Sequence, residues 1–103
     1  MITVFEREAA GLVVEQSIDD VLDYGRDWSD LVPDDDVIVS SVWQAAGATL
    51  TSPGQSGLVT NVFVALDVGT REAVVSNVVQ TAAGRRQRWD FVVRRRVSPV
   101  PRY

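Results

Sequence analysis

The side chains best placed to do chemistry are the carboxylates Asp19, Asp20, Asp23, Asp27, Asp30, Asp34, Asp35 and Asp36, crowded into one stretch of the chain. Calcium takes roughly six to eight oxygens from a loop of defined geometry. The run Asp34-Asp35-Asp36 lacks the ligand spacing, the central glycine and the closing glutamate of such a loop, and reads as a solvated acidic face. Paired carboxylates also hydrolyse glycosides, but only across a cleft in a much larger scaffold than 103 residues provide. Ser40, Ser41, Ser52 and Ser56 lack an activating base, because the chain contains neither histidine nor lysine. Gly54-Gln55-Ser56-Gly57 has no lysine and no following helix, so it is a turn and not a phosphate loop. With no cysteine there is no disulfide and no thiolate metal site. We therefore assign no catalytic residue, no metal and no cofactor. The composition excludes most enzyme classes and points to binding or structure.

The basic residues are all arginine. Codon usage in a GC-rich genome would produce this, and so would selection for planar, bidentate contacts at an interface. Arg85, Arg86 and Arg88 precede Trp89 and Phe91, and Arg94, Arg95 and Arg96 follow. That mixture suggests a nucleic-acid patch, but stacking needs exposed rings, and alternation turns Trp89 and Phe91 inward. The sequence pI of about 4.6 also argues against nucleic acid. Residues 1–36 hold 11 acidic and 2 basic side chains, whereas residues 37–103 hold 3 acidic and 8 basic. Two halves of opposite sign either pair within one fold or pair head to tail between copies.

These side chains need a scaffold, and the length allows one domain. The apolar runs, such as Val62-Phe63-Val64-Ala65, fall far short of the ~20 residues of a membrane span. The first residues lack the basic flank and apolar core of a signal peptide. Val37–Trp43, Ala48–Thr51, Leu58–Leu66, Glu72–Thr81 and Arg86–Val97 read as strands, with Ser52–Gly57 and Asp67–Thr70 as loops. The last two strands form a hairpin around Ala82-Ala83-Gly84. Period-2 alternation sets Trp89, Phe91 and Val93 on the core face, opposite Val75 and Val79. Asn77 then becomes either a buried amide, which must be hydrogen-bonded, or the mark of a bulge. Val74, Val78 and Val92 fall outside as an apolar stripe edged by arginines: a subunit contact, or a surface covered by the chain's own N-terminal segment. Ile2–Glu6 reads as an edge strand or a flexible arm and Leu12–Glu15 as a short strand. Asp19–Val32 reads as a strand and turn with at most one helical turn. The expected architecture is all-β, a single small antiparallel β-sandwich, Ig-like in size.

Two stretches together resemble a known family. One is Leu22-Asp23-Tyr24-Gly25-Arg26-Asp27-Trp28-Ser29 followed by Asp36-Val37-Ile38-Val39-Ser40-Ser41-Val42-Trp43; the other runs from Val75-Ser76-Asn77 through Thr81-Ala82-Ala83-Gly84-Arg85 into Arg88-Trp89-Asp90-Phe91. In order and spacing they look like the small tailed-phage and prophage virion proteins described as fibre–tail, head–tail or neck adaptors, over residues 20–96. Asp67-Val68-Gly69-Thr70-Arg71-Glu72-Ala73 departs from that family's Gly-Gly-rich turn, and residues 1–19 lie outside the resemblance. The expected organisation is therefore an N-terminal extension or arm, 1–19, and a sandwich domain, 20–103.

The resemblance implies a non-catalytic protein of the virion tail or neck, made in the host cytoplasm. Its partners would be portal, tail or fibre proteins, with no nucleic acid and no membrane. We expect copies to form a ring by heterologous contacts. The candidate interface residues are Arg88, Arg94 and Arg96, the stripe Val74, Val78 and Val92, and the acidic Asp34, Asp35 and Asp36. The alternative is a stand-alone Ig-like binding module for a surface protein or glycan, using loops 52–57 and 67–71. Those loops hold no aromatic residue, which counts against glycan binding.

Overall fold

The computed structural model describes residues 6–8 and 11–96. These form eight strands: β1 (Glu6–Glu8), β2 (Gly11–Gln16), β3 (Val21–Asp27), β4 (Ile38–Ala46), β5 (Ala48–Ser56), β6 (Val59–Leu66), β7 (Glu72–Thr81) and β8 (Arg86–Arg95). They make a larger sheet in the order β1-β2-β8-β7-β4 and a smaller one in the order β3-β6-β5, packed as a small sandwich. The expectation for residues 2–5 lies outside the described residues. The boundary at residue 19 falls just after β2, which is a member of the larger sheet and pairs with β8. That pair is parallel, in register from Val13↔Val92 to Gln16↔Arg95, and is the one departure from antiparallel pairing among the described strands.

The hairpin β7–β8 forms as the alternation predicts. Val75 faces Phe91 and Asn77 faces Trp89 across the ladder, and Val75, Val79, Phe91 and Val93 are buried. Its turn closes with Gly84 N–H donating to Thr81 O, and Gly84 takes a φ of 95° that a residue with a Cβ adopts reluctantly. On β6, Thr60, Val62, Val64 and Leu66 all face inward, again with period 2. The segment after β3 makes one i→i+4 bond, Val32 N–H to Trp28 O at 2.8 Å, and does not continue as a helix.

One reading is corrected. Ser52–Gly57 is not simply a loop, because β5 runs on to Ser56. Its register with β6 slips between Thr51 and Gly54, where Ser52 takes a φ of 50°. β5 is an edge strand, so Pro53 breaks no ladder on its open side, and a bulge absorbs the extra residues. At Gly47 the chain leaves the larger sheet and enters the smaller one. A Cβ there would sit 2.9 Å from Thr70 Cγ2 and 3.3 Å from Glu72 O, and φ is 87°.

The core is two connected clusters. One gathers Tyr24, Val62, Val64, Leu66, Ala73, Val75, Phe91 and Val93; the other gathers Trp28, Val32, Ile38 and Val79, with Trp89 packing against both. Trp89 lies tilted on Phe91 at 4.7 Å between centroids and edge-on to Trp43 at 6.3 Å, geometries that aromatic quadrupoles favour.

Candidate docking surface

Alternation that packs one face of the larger sheet turns the other outward, where Val13 beside Val92 is nonetheless buried. Three rows cross it from β4 to β8: Val42–Val78–Arg88, Gln44–Ser76–Asp90 and Ala46–Val74–Val92. Val42 is 48% and Val74 is 46% exposed, while Val78 and Val92 are partly buried by their neighbours. The expected stripe thus stands on the outer face. Val42 belongs to it as well, and was legible from Trp43: if the indole faces inward, the preceding residue faces out.

The arginines of this face are held by short-range partners. Arg88 Nε donates to Asp90 at 2.9 Å and its Nη2 to Ser76 Oγ at 3.3 Å, and Arg94 Nε donates to Glu72 at 2.9 Å. Arg96 stands 3.6 Å from Asp20. All three are at least partly exposed, and exposed pairs of this kind contribute about 0–1 kcal/mol each. Their positive charge is therefore oriented but weakly committed.

The aspartate triplet divides. Asp34 and Asp35 are exposed, while the Asp36 side chain is only 3% exposed and grips the β7–β8 turn. Its Oδ1 accepts from the backbone N–H of Val37 at 2.9 Å and of Ala83 at 3.0 Å, and its Oδ2 from Arg85 Nη1 at 2.6 Å. The Thr81 hydroxyl, more than these, draws the carboxyl down to a pKa of about 2 against the cost of its burial. Asp36 is thus an intramolecular clasp on the hairpin. Nothing in the triplet's sequence marks it out, since all its partners but the adjacent Val37 arrive from more than 40 residues away.

The outer face of the smaller sheet is acidic where that of the larger is mixed. It carries Val21, 58% exposed, and Phe63, 38% exposed, beside Asp23 and Asp27. The Ser29 backbone N–H donates to Asp27 Oδ1 at 3.0 Å and, with the Ser29 hydroxyl, lowers the Asp27 pKa. Among the described residues no group of three acidic, His or Cys side chains is arranged to hold a metal ion.

Between the faces runs a polar seam. Trp28 Nε1 donates to Thr60 Oγ1 at 3.0 Å, the Thr60 hydroxyl donates to Asn77 Oδ1 at 2.6 Å, and Asn77 Nδ2 donates to Ser41 Oγ and Val42 O. Asn77 is therefore the buried, satisfied amide, and the bulge of this region lies instead on β4, between Ile38 and Ser40. A second link, missed in the sequence, is Gln16. It accepts from the Tyr24 hydroxyl at 2.6 Å and donates to Val64 O at 2.8 Å.

The site is thus a pair of opposed sheet faces, each apolar at its centre: the larger carries arginines interleaved with Glu15, Glu72 and Asp90, and the smaller carries Asp23 and Asp27. No curated protein matches the chain. Residues 5–94 match the family model of the podophage GP4 fiber-tail adaptor protein gp77, and the chain belongs to that family of structural phage proteins.

Proposed function

We propose that the chain is a non-catalytic connector at the tail or neck of the virion, joining portal–tail components to fibres, and that its copies close into a ring. The observation that supports the ring is the pairing of faces. The larger sheet offers Val42, Val74 and Val92 with Arg88 and Arg94; the smaller offers Val21 and Phe63 with Asp23 and Asp27, near the acidic segment of Asp34 and Asp35. A contact between unlike faces is heterologous, and repeats until the rotation closes. Opposite charge sets the register of such a contact more than its strength.

The test is the native mass of the purified protein by light scattering, at low and high salt, for the wild type and for the double variant Arg94→Glu/Arg96→Glu. The expected outcome is a closed oligomer that weakens with salt, and a monomeric variant with an unchanged far-UV circular dichroism spectrum. An oligomer insensitive to both salt and charge reversal would remove these residues from the contact. A monomer at both salts would remove the self-assembled ring.

A further inference from the structure

The two ends of the sandwich are unlike. At one end the β6–β7 turn, residues 67–70, carries Val68, which is 98% exposed. A lone exposed valine is ordinary, but this one is held out by a pinned turn. Thr70 N–H donates to Asp67 O at 3.0 Å, Asp67 N–H donates to Gly47 O at 3.0 Å, and the Thr49 hydroxyl donates to Asp67 Oδ1 at 2.8 Å. Gly69 takes the positive φ, 85°, that closes the turn. The tip is thus fixed before any partner arrives, and docking it costs little ordering entropy. Three residues after Val68 stands Arg71, exposed and without an ion pair among the described residues. The carboxylates on either side of Val68 and Arg71 are engaged, Asp67 by Thr49 and Glu72 by Arg94.

At the other end, the segment entering β4 and the β5–β6 turn enclose a cavity of about 310 Å³. Val37, Ile38 and Leu58 give it apolar walls, with Asp34 and Gln55 beside them. Asp36 also lines it, but its carboxylate is taken by the hairpin turn and Arg85. Asp34 and its neighbour Asp35 are exposed and make no ion pair among the described residues. One end therefore carries an apolar knob beside an uncommitted positive charge, and the other an apolar hole beside uncommitted negative charge.

We propose that the β6–β7 turn of one copy docks into this cavity of a second copy, with Val68 on the apolar walls and Arg71 meeting Asp34 and Asp35. Val68 leaves water, and the Arg71 stem lies along apolar wall while its guanidinium reaches a carboxylate. No copy can fill its own cavity, because Leu58 and Asp67 flank the eight residues of β6 and stand about 30 Å apart along the strand. Sign selects unlike ends. Two cavities would set Asp34 and Asp35 against their like, and two turns would set Arg71 against Arg71. The contact is therefore heterologous. It joins ends where the proposed ring contact joins faces, and neither requires the other.

The chain has no cysteine, so introduced thiols report without background. The full chain bearing Val68→Cys is mixed under mild oxidation with a mass-tagged chain bearing Val37→Cys or Gln55→Cys. All three positions are exposed, and each variant is expected to keep the wild-type circular dichroism spectrum. The mixed disulfide is expected, at one or both cavity positions, in at least tenfold excess over disulfides between like variants. Arg71→Glu on the Val68→Cys chain should cut its yield at least tenfold, and Asp34→Arg/Asp35→Arg on the other chain should restore it. No mixed disulfide at either position, an equal yield between like variants, indifference to Arg71→Glu or a failure of the charge swap to restore the yield would overturn the proposal. In virions, p-benzoylphenylalanine at Val68 is expected to label the cavity segment of a second copy; labelling of a different polypeptide in its place would likewise overturn it.

Discussion

The polar seam between the sheets and the arginine row on the outer face use the same kind of contact to opposite ends. In the seam, Trp28, Thr60 and Asn77 are buried, and each hydrogen bond replaces water that cannot return. On the face, Arg88–Asp90 and Arg94–Glu72 have bond lengths no worse, yet water competes for both partners. Depth decides the outcome: buried polar groups specify how the sheets stack, and exposed ones remain available to a partner.

The sharpest way to break this contrast is to remove the seam's largest member. Trp28→Ala empties a fully buried site and strips Thr60 of its donor, so it should cost about 3–5 kcal/mol in chemical denaturation. Asn77→Ala leaves the Thr60 hydroxyl and the Ser41 side chain without their shared partner, and about 1–3 kcal/mol is expected in the same assay. If either variant unfolds at the wild-type midpoint, the seam is not what joins the sheets.

Between the two extremes stands Asp36, a charge that is buried but fully bonded. Its folded-state pKa of about 2 lies below the ordinary value of 3.8. The unfolded chain therefore binds the proton first as pH falls. The stabilisation is complete above about pH 4 and is lost as pH drops through about 2, and Asp36→Asn should flatten that part of a pH–stability curve. Tyr24 sets the opposite limb. Burial, with the charges of Asp20 and Asp23 adding to it, pushes its pKa up to about 12, so stability falls as pH rises from about 10 to 12, and Tyr24→Phe should remove that loss. The smallest effect belongs to the exposed row: Arg94→Glu should shift stability by no more than about 1 kcal/mol while altering assembly. A larger loss of stability would mean that the row is structural after all.

Much of the scaffold is legible wherever structure follows local period. Trp89, Phe91 and Val93, and Thr60 through Leu66, declare their inward face because side chains alternate along a strand whatever its partners are. The outward Val74, Val78 and Val92 follow by subtraction. The pairing of β2 with β8 has no local signature, since nothing in Leu12–Glu15 encodes a neighbour nearly 80 residues away. The second half of β5 was hidden for a different reason: Ser52-Pro53-Gly54 has the chemistry of a turn, and only its edge position lets it stay in the sheet. In the acidic triplet, three identical residues have different fates because the hairpin turn reaches only the third.

The parallel pairing of β2 with β8 also has a mechanical meaning. Tension applied toward the two ends of the chain pulls β2 from its N-terminal end and β8 from its C-terminal end. Because the strands run the same way, those pulls are opposed along the strand axis. The four register pairs from Val13↔Val92 to Gln16↔Arg95 are then sheared together instead of peeling one at a time. Rupture must then break the whole row at once.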